Sequence, residues 1–219
     1  MDKIKYFTIE NIQQKAESIY QKLDNQFDLH KDHLIPQKSA LLILDMQNFF
    51  HDNKSHAFIP SGNAIIKPIQ SLANIFKSNN RPVIVTRHIN TKKDAKQMDA
   101  WWRDLLTDDN DLSQLIAECD IPQAELIIKS QYDAFYETKL NEILHHHNIE
   151  QLIITGVMTH LCCETTARSA FVRGYNVFFP IDGTAAYNEE FHISTLTNLA
   201  HGFANITLIE KLKQSFSDK

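Results

Sequence analysis

QLIITGVMTHLCCETTARSAFVRG, residues 151–174, is the stretch on which the reading of the chain turns. Leu152, Ile153 and Ile154 form a short apolar run that Gly156 interrupts. Such a run, followed by glycine, reads as a parallel strand buried on both faces. Thr159 is a candidate N-cap, and Leu161, Thr165, Ala167, Ala170 and Phe171 follow at helical spacing, with Gly174 placed as a C-terminal cap. Strand, tight loop and helix therefore put Cys162 in the helix's first turn. Free amides and the positive end of the macrodipole favour a thiolate there and can hold an oxyanion. The competing reading is a buried cysteine packed as a small hydrophobe. Cys163 points about 100° further round the helix and is the better core candidate.

Outward from this stretch, apolar runs and helical patterns alternate. Residues 8–27 carry Ile9, Ile12, Ala16, Ile19, Tyr20 and Leu23 at helical spacing, and 28–37 form a linker. Strands are expected at 40–44, 82–86, 126–128, 175–180 and 204–209, in addition to the central one. Helices are expected at 63–78, 136–147 and 189–201, with a short polar helix at the end. Residues 90–120 are polar and irregular around Trp101 and Trp102, the pattern of a binding loop or lid. Strand–helix alternation predicts a six-stranded parallel sheet covered by helices on both faces, joined by right-handed crossovers. The 219 residues suit one domain spanning 1–219, with 1–37 as an N-terminal helical extension.

The formal net charge of −5 argues against a nucleic-acid or anionic-membrane surface, and no apolar run approaches the length of a membrane span. Cys119, Cys162 and Cys163, with no apolar signal segment, point to reduced thiols in a cytoplasm. The five glycines include no phosphate-cradling loop or dinucleotide fingerprint, so no cofactor is expected. His145, His146 and His147 diverge around a helix end and suit a solvated terminus better than a metal site.

Ligands of such sheets bind at the carboxyl ends of the strands. Asp45 ends the first strand, Lys129 the third, and Cys162 follows the fourth. Singly they read as a helix cap, a solvated lysine and a core cysteine. Together they match an acid/base, a cation favouring the thiolate, and a nucleophile. LLILDMQNFF (41–50), IIKSQYDAF (127–135) and ITGVMTHLCCETTARSAFVRGY (154–175) resemble the three motifs of the isochorismatase-like hydrolase superfamily, from about residue 38 onward. The resemblance implies a three-layer α/β/α sandwich and a catalytic triad at Asp45, Lys129 and Cys162. It also implies a cis peptide at Val157–Met158 and an oxyanion hole from the Met158 and Cys162 amides. The flanking candidates for touching substrate are Gln47, Phe50, Arg87, His88, Trp101, Trp102, Phe135, Thr159 and His160.

Two departures sharpen the expectation. Nicotinamidases of the family carry Asp-x-His after the second strand as part of a metal site. The segment here is TRHIN, so no metal is expected. Dedicated isochorismatases carry glycine where Cys162 stands. The expected activity is thus a cysteine hydrolase cleaving a C–N bond in a small amide, ureido or carbamoyl compound. The alternatives are a vinyl-ether hydrolase using Asp45 as general acid, and a binding protein on the same fold. The N-terminal apolar stripe and the paired tryptophans add the expectation of a homo-oligomer.

Overall fold

The structure is a computed structural model that describes residues 2–217; residues 1, 218 and 219 of the expected 1–219 span lie outside it. In chain order the helices are α1 (Ile12–Phe27), α2 (Asn48–His51), α3 (Ile66–Ser78), α4 (Met98–Trp101), α5 (Leu140–His146), α6 (Glu164–Val172), α7 (Glu189–Gly202) and α8 (Ile209–Gln214). The strands are β1 (Ser39–Leu44), β2 (Val83–His88), β3 (Glu125–Lys129), β4 (Gln151–Val157), β5 (Asn176–Pro180), β6 (Thr184–Ala185) and β7 (Asn205–Thr207). They form one sheet in the order β3-β2-β1-β4-β5-β7, with β6 paired to the end of β4 and every ladder parallel.

Central β1 and β4 are buried at every position, as their unbroken apolar runs require. The crossover through α3 runs along the sheet opposite to those through α5 and α6. Right-handed connections therefore place α3 on one face and α5 and α6 on the other. Helix α8 packs beside α3, and α7 beside α6, completing an α/β/α sandwich. The apolar stripe of α1, from Ile12 to Leu23, is covered within the chain by α7 and the turn after β5.

Several boundaries differ from the sequence reading, each for a local reason. The sheet has seven strands rather than six, because two-residue β6 is too short to show a pattern. Helix α5 begins at Leu140, not 136: Glu137 is left-handed at φ 52°, and the Thr138 hydroxyl accepts the Leu140 N–H at 3.2 Å. The last strand stops at Thr207, since the Ile209 N–H instead meets Asp182 Oδ1 at 2.9 Å and opens α8. Thr159 is not a side-chain cap. Its hydroxyl faces His192 Nδ1 at 3.0 Å, and residues 159–163 form a wide π-helical turn ahead of α6.

Strand β4 runs on through Gly156, which sits at φ 107° opposite Leu44. A Cβ there would lie 2.1 Å from the Leu44 carbonyl oxygen. Glycine is thus what lets β1 and β4 stay paired up to their carboxyl ends. The sheet order reverses between these two strands, the place where such sheets bind ligands.

Candidate active site

Asp45 leaves β1 in a left-handed conformation, φ 53°, that aspartate tolerates better than most residues. Thr86 at the end of β2 fixes it from both sides: its hydroxyl donates to Asp45 Oδ1 at 2.5 Å and accepts the Asp45 N–H at 3.1 Å. Lys129 starts two strands away, roughly 10 Å at ordinary strand spacing, a gap that suits a long side chain. Its ammonium lies 2.8 Å from Asp45 Oδ2 and 3.4 Å from Cys162 Sγ, and donates to the Gln131 carbonyl at 2.9 Å. Asp45, Lys129 and Cys162 therefore meet at one point, where the Lys129 and Asp45 side chains are wholly buried.

Burial opposes both charges of this pair, but their mutual attraction outweighs it. Beside the Lys129 ammonium, Asp45 is held below the usual carboxylate range, and Lys129 is held above its own. The thiol behaves differently from the expectation that the helix end and Lys129 would favour its ionisation. Burial pushes Cys162 up to about 12, because the nearby positive charge is already matched by Asp45. The resting site is a thiol beside an ion pair. Asp45 Oδ2 takes no well-aligned hydrogen bond despite its close contact with Lys129, which leaves it open to the thiol proton. Cys163 is fully buried in the core behind.

A hydrogen-bonded chain steadies the lysine. Asn90 Nδ2 donates to the Ser130 carbonyl at 2.8 Å, so its Oδ1 faces His88 Nε2 at 2.8 Å as acceptor. That leaves His88 Nδ1 as the acceptor 3.4 Å from Lys129 Nζ. Burial, and next the Lys129 charge, pull His88 down to about 4, so the ring is neutral at pH 7. With Asn90 on Nε2 and Lys129 on Nδ1, the histidine offers no free ligand. Among the described residues no three His, Cys, Asp or Glu side chains converge as a metal site, so the residues present do not fit the nicotinamidase metal.

Above this floor lies a cavity of about 70 Å³ with mainly apolar walls, Phe49, Phe50, Trp102, Tyr132 and Tyr187 among them. Of the residues expected near substrate, Phe50, His88 and Trp102 line it, together with Met158 and Cys162. The Val157–Met158 peptide is cis, and the Met158 N–H has no acceptor among the described residues. Other candidates are placed differently. Gln47 is buried beneath, exchanging hydrogen bonds with the His88 backbone. Arg87 turns away to Ser113 and Asp108. Trp101 is 79 % exposed, Phe135 stacks on Tyr175, and Thr159 is buried against His192. His160 stacks on Phe191 with centroids 4.2 Å apart.

Residues absent from the sequence reading complete the walls: Tyr132, Tyr187, Asn90, His56 and Asp104. Tyr132 lies inside the quoted 127–135 motif, and its hydroxyl accepts the Trp102 indole N–H at 2.6 Å. No local signal marks Tyr187, which belongs to the loop after β6.

A family model described as "Isochorismatase domain" matches residues 39–211. Nicotinamidase 3 of Arabidopsis thaliana is 37 % identical over 182 residues, covering 81 % of this chain and 88 % of the relative. Enterobactin synthase component B of Escherichia coli K12 is 30 % identical over 181 residues, 81 % of this chain but 63 % of the longer relative. Among solved structures, a cysteine hydrolase from Pseudomonas syringae pv. phaseolicola superposes with a TM-score of 0.82 at 23 % identity, over 86 % of this chain and 97 % of that one. An N-carbamoylsarcosine amidase from Thermoplasma acidophilum gives 0.70 at 23 % identity, over 79 % and 97 %. At these identities the two structures speak for the fold.

Proposed function

The chain belongs to the isochorismatase family of hydrolases, and from that premise we propose that it is a cysteine hydrolase cleaving the C–N bond of a small amide, ureido or carbamoyl compound. The observation that carries this reading is the placement of the Lys129 ammonium between Asp45 Oδ2 and Cys162 Sγ, at 2.8 and 3.4 Å. Asp45 takes the thiol proton as Cys162 Sγ bonds to the carbonyl carbon. The Met158 and Cys162 amides receive the oxyanion. Protonated Asp45 then passes its proton to the leaving nitrogen as the C–N bond breaks, leaving a thioester. Water attacks the thioester, Asp45 accepts the water proton and passes it to the departing Cys162 sulfur, which restores the resting carboxylate and thiol. Lys129 holds Asp45 ionised in the resting state and balances the negative charge as it moves to sulfur. A thiol that ionises only at about 12 fits this route, because proton transfer accompanies attack rather than preceding it.

The aromatic walls supplied by Phe50, Trp102, Tyr132 and Tyr187 suit a flat, unsaturated substrate face. The similarity to Nicotinamidase 3 makes an aromatic ring amide such as nicotinamide the first compound to try. A screen of amides and ureides with isochorismate included, read as product release, tests the reading. Turnover of isochorismate alone would overturn it in favour of vinyl-ether hydrolysis. Asp45 held below the usual carboxylate range argues for a resting base rather than a resting acid. The proposal includes one domain with its N-terminal extension, a cytoplasmic setting and assembly into a homo-oligomer. Exposed Trp101, and Leu126 and Ile128 on edge strand β3, supply apolar surface for contact. No helix among the described residues is long and apolar enough to cross a membrane.

A further inference from the structure

The N-terminal segment ahead of α1 lies outside the family-matched residues 39–211, yet it is stitched to both sides of the cavity mouth. On one side the Ile4 N–H donates to the Tyr187 carbonyl at 2.8 Å, and the Lys3 ammonium lies 4.2 Å from the centre of the Tyr187 ring. The Ala186 N–H donates to the Tyr6 hydroxyl at 2.9 Å. On the other side Lys3 Nζ donates to the His56 carbonyl, and Ser61 Oγ accepts the Tyr6 and Phe7 amides at 2.9 and 3.0 Å. His56 in turn pairs with Asp104 of the lid, Nδ1 to Oδ2 at 3.3 Å. Tyr187, His56 and Asp104 all line the cavity above Cys162. Lid, His56 loop, N-terminal segment and Tyr187 loop thus form a continuous rim, with Lys3 closing the last gap. Beneath it, Tyr6 and Phe7 pack their rings against His192, each at 5.3 Å, and His192 meets Thr159 at the start of the turn that carries Cys162.

We infer that Lys3, Ile4, Tyr6 and Phe7 form a positioning strap of the active site: they set the width of the mouth and the place of Tyr187, and so control substrate affinity rather than the chemical step. The inference rests on this cavity being the active site. Lys3 and Tyr6 act through Tyr187, His56 and the Ala186 amide.

Full-length Lys3→Ala, Lys3→Arg, Tyr6→Phe and, as control, Lys5→Ala test it, each checked for unchanged thermal unfolding. Lys3→Ala removes the tie across the mouth, and Tyr6→Phe removes the acceptor of the Ala186 amide together with the hydroxyl's contact to Thr159. Both are expected to raise KM about fivefold to tenfold with kcat within about twofold. Both are also expected to speed alkylation of Cys162 by iodoacetamide several-fold. Lys3→Arg restores wild-type behaviour, and Lys5→Ala shows it throughout. Folded Lys3→Ala and Tyr6→Phe proteins with wild-type KM and wild-type alkylation would overturn the strap. Alkylation needs no substrate, so it decides the matter even if the amide reading fails; conversely, normal alkylation in a protein that hydrolyses amides would sink the strap alone.

Discussion

Asp45 and Lys129 stand at strand ends whose positions follow from ladder register, and Cys162 in the turn directly after β4, whereas Trp102, Tyr132 and Tyr187 stand in the longer connections between elements. The floor of the cavity is therefore fixed by the sheet. The Leu44–Gly156 pairing and the Thr86 clamp place the reacting groups before any loop is considered. The roof is fixed by contacts between loops, such as Trp102 to Tyr132, His56 to Asp104 and Lys3 to Tyr187. Under the proposed function the difference separates two jobs: chemistry belongs to the buried ion pair and thiol, and selection of the substrate belongs to the rim and walls. Floor and roof variants should then fail in different ways.

The floor should give the largest losses. Asp45→Asn removes the base, and kcat/KM is expected to fall about 10³- to 10⁴-fold, with substrate binding retained. Lys129→Met should lose activity on the same scale and also destabilise the fold by roughly 3–5 kcal/mol, since it strands a buried carboxylate. Steady-state kinetics with chemical denaturation checks both. Activity near wild type in either variant would dissolve the separation. Gly156→Ala attacks the floor without touching a reacting group. Its Cβ meets the backbone of β1, so about 3 kcal/mol or more of stability should go, read as a lower denaturation midpoint.

Acid tests the buried groups together. Burial lowers His88 and His160 to about 4 and His192 to about 3, so between these values and 6.5 the unfolded chain binds protons that the folded chain does not. Stability therefore rises with pH across this window and falls on acidification through it. For each of the two most deeply buried rings the slope is roughly 1.4 kcal/mol per pH unit at most. Asp45, being depressed, adds stability that is full above its unfolded value and is lost only as pH drops through its lower folded value. A melting temperature flat from pH 7 to pH 4 would contradict this burial.

Roof variants should give smaller, affinity-type effects. Tyr132→Phe and Trp102→Phe leave the ion pair intact but lose their shared hydrogen bond, so KM should rise about fivefold with kcat within about twofold. A kcat loss as large as that of Asp45→Asn would mean that the roof takes part in the chemistry. Dialysis against a chelator should change nothing, because His88 is engaged by Asn90 and Lys129 rather than free as a ligand. Activity lost with a stoichiometric metal would overturn that.

Legibility in the sequence divides along the same line. The floor announces itself because parallel strands, buried for β1 and β4 and at the edge for β3, leave unbroken apolar runs whose ends mark Asp45, Lys129 and the turn to Cys162. The roof leaves no such trace. Tyr187 reaches the cavity only through a two-residue strand beside Gly156 and Val157, and Asn90 matters only through the ring of His88. Arg87 and Trp101 were expected near substrate from adjacency alone. Neighbouring residues face opposite ways on a strand and about 100° apart on a helix, which sends Arg87 to Asp108 and Trp101 to the surface. The charge state of Cys162 was also beyond sequence, since it depends on Lys129 being matched by Asp45 at 2.8 Å.

The central claim is that Cys162 is the nucleophile, and turnover by Cys162→Ala beside Cys163→Ala, on whichever amide the wild-type protein hydrolyses, tests it most directly. The expected result is no measurable hydrolysis by folded Cys162→Ala and retained hydrolysis by Cys163→Ala. Full turnover by Cys162→Ala, with Asp45→Asn inactive, would contradict it and leave Asp45 as the acid of a reaction that needs no thiol.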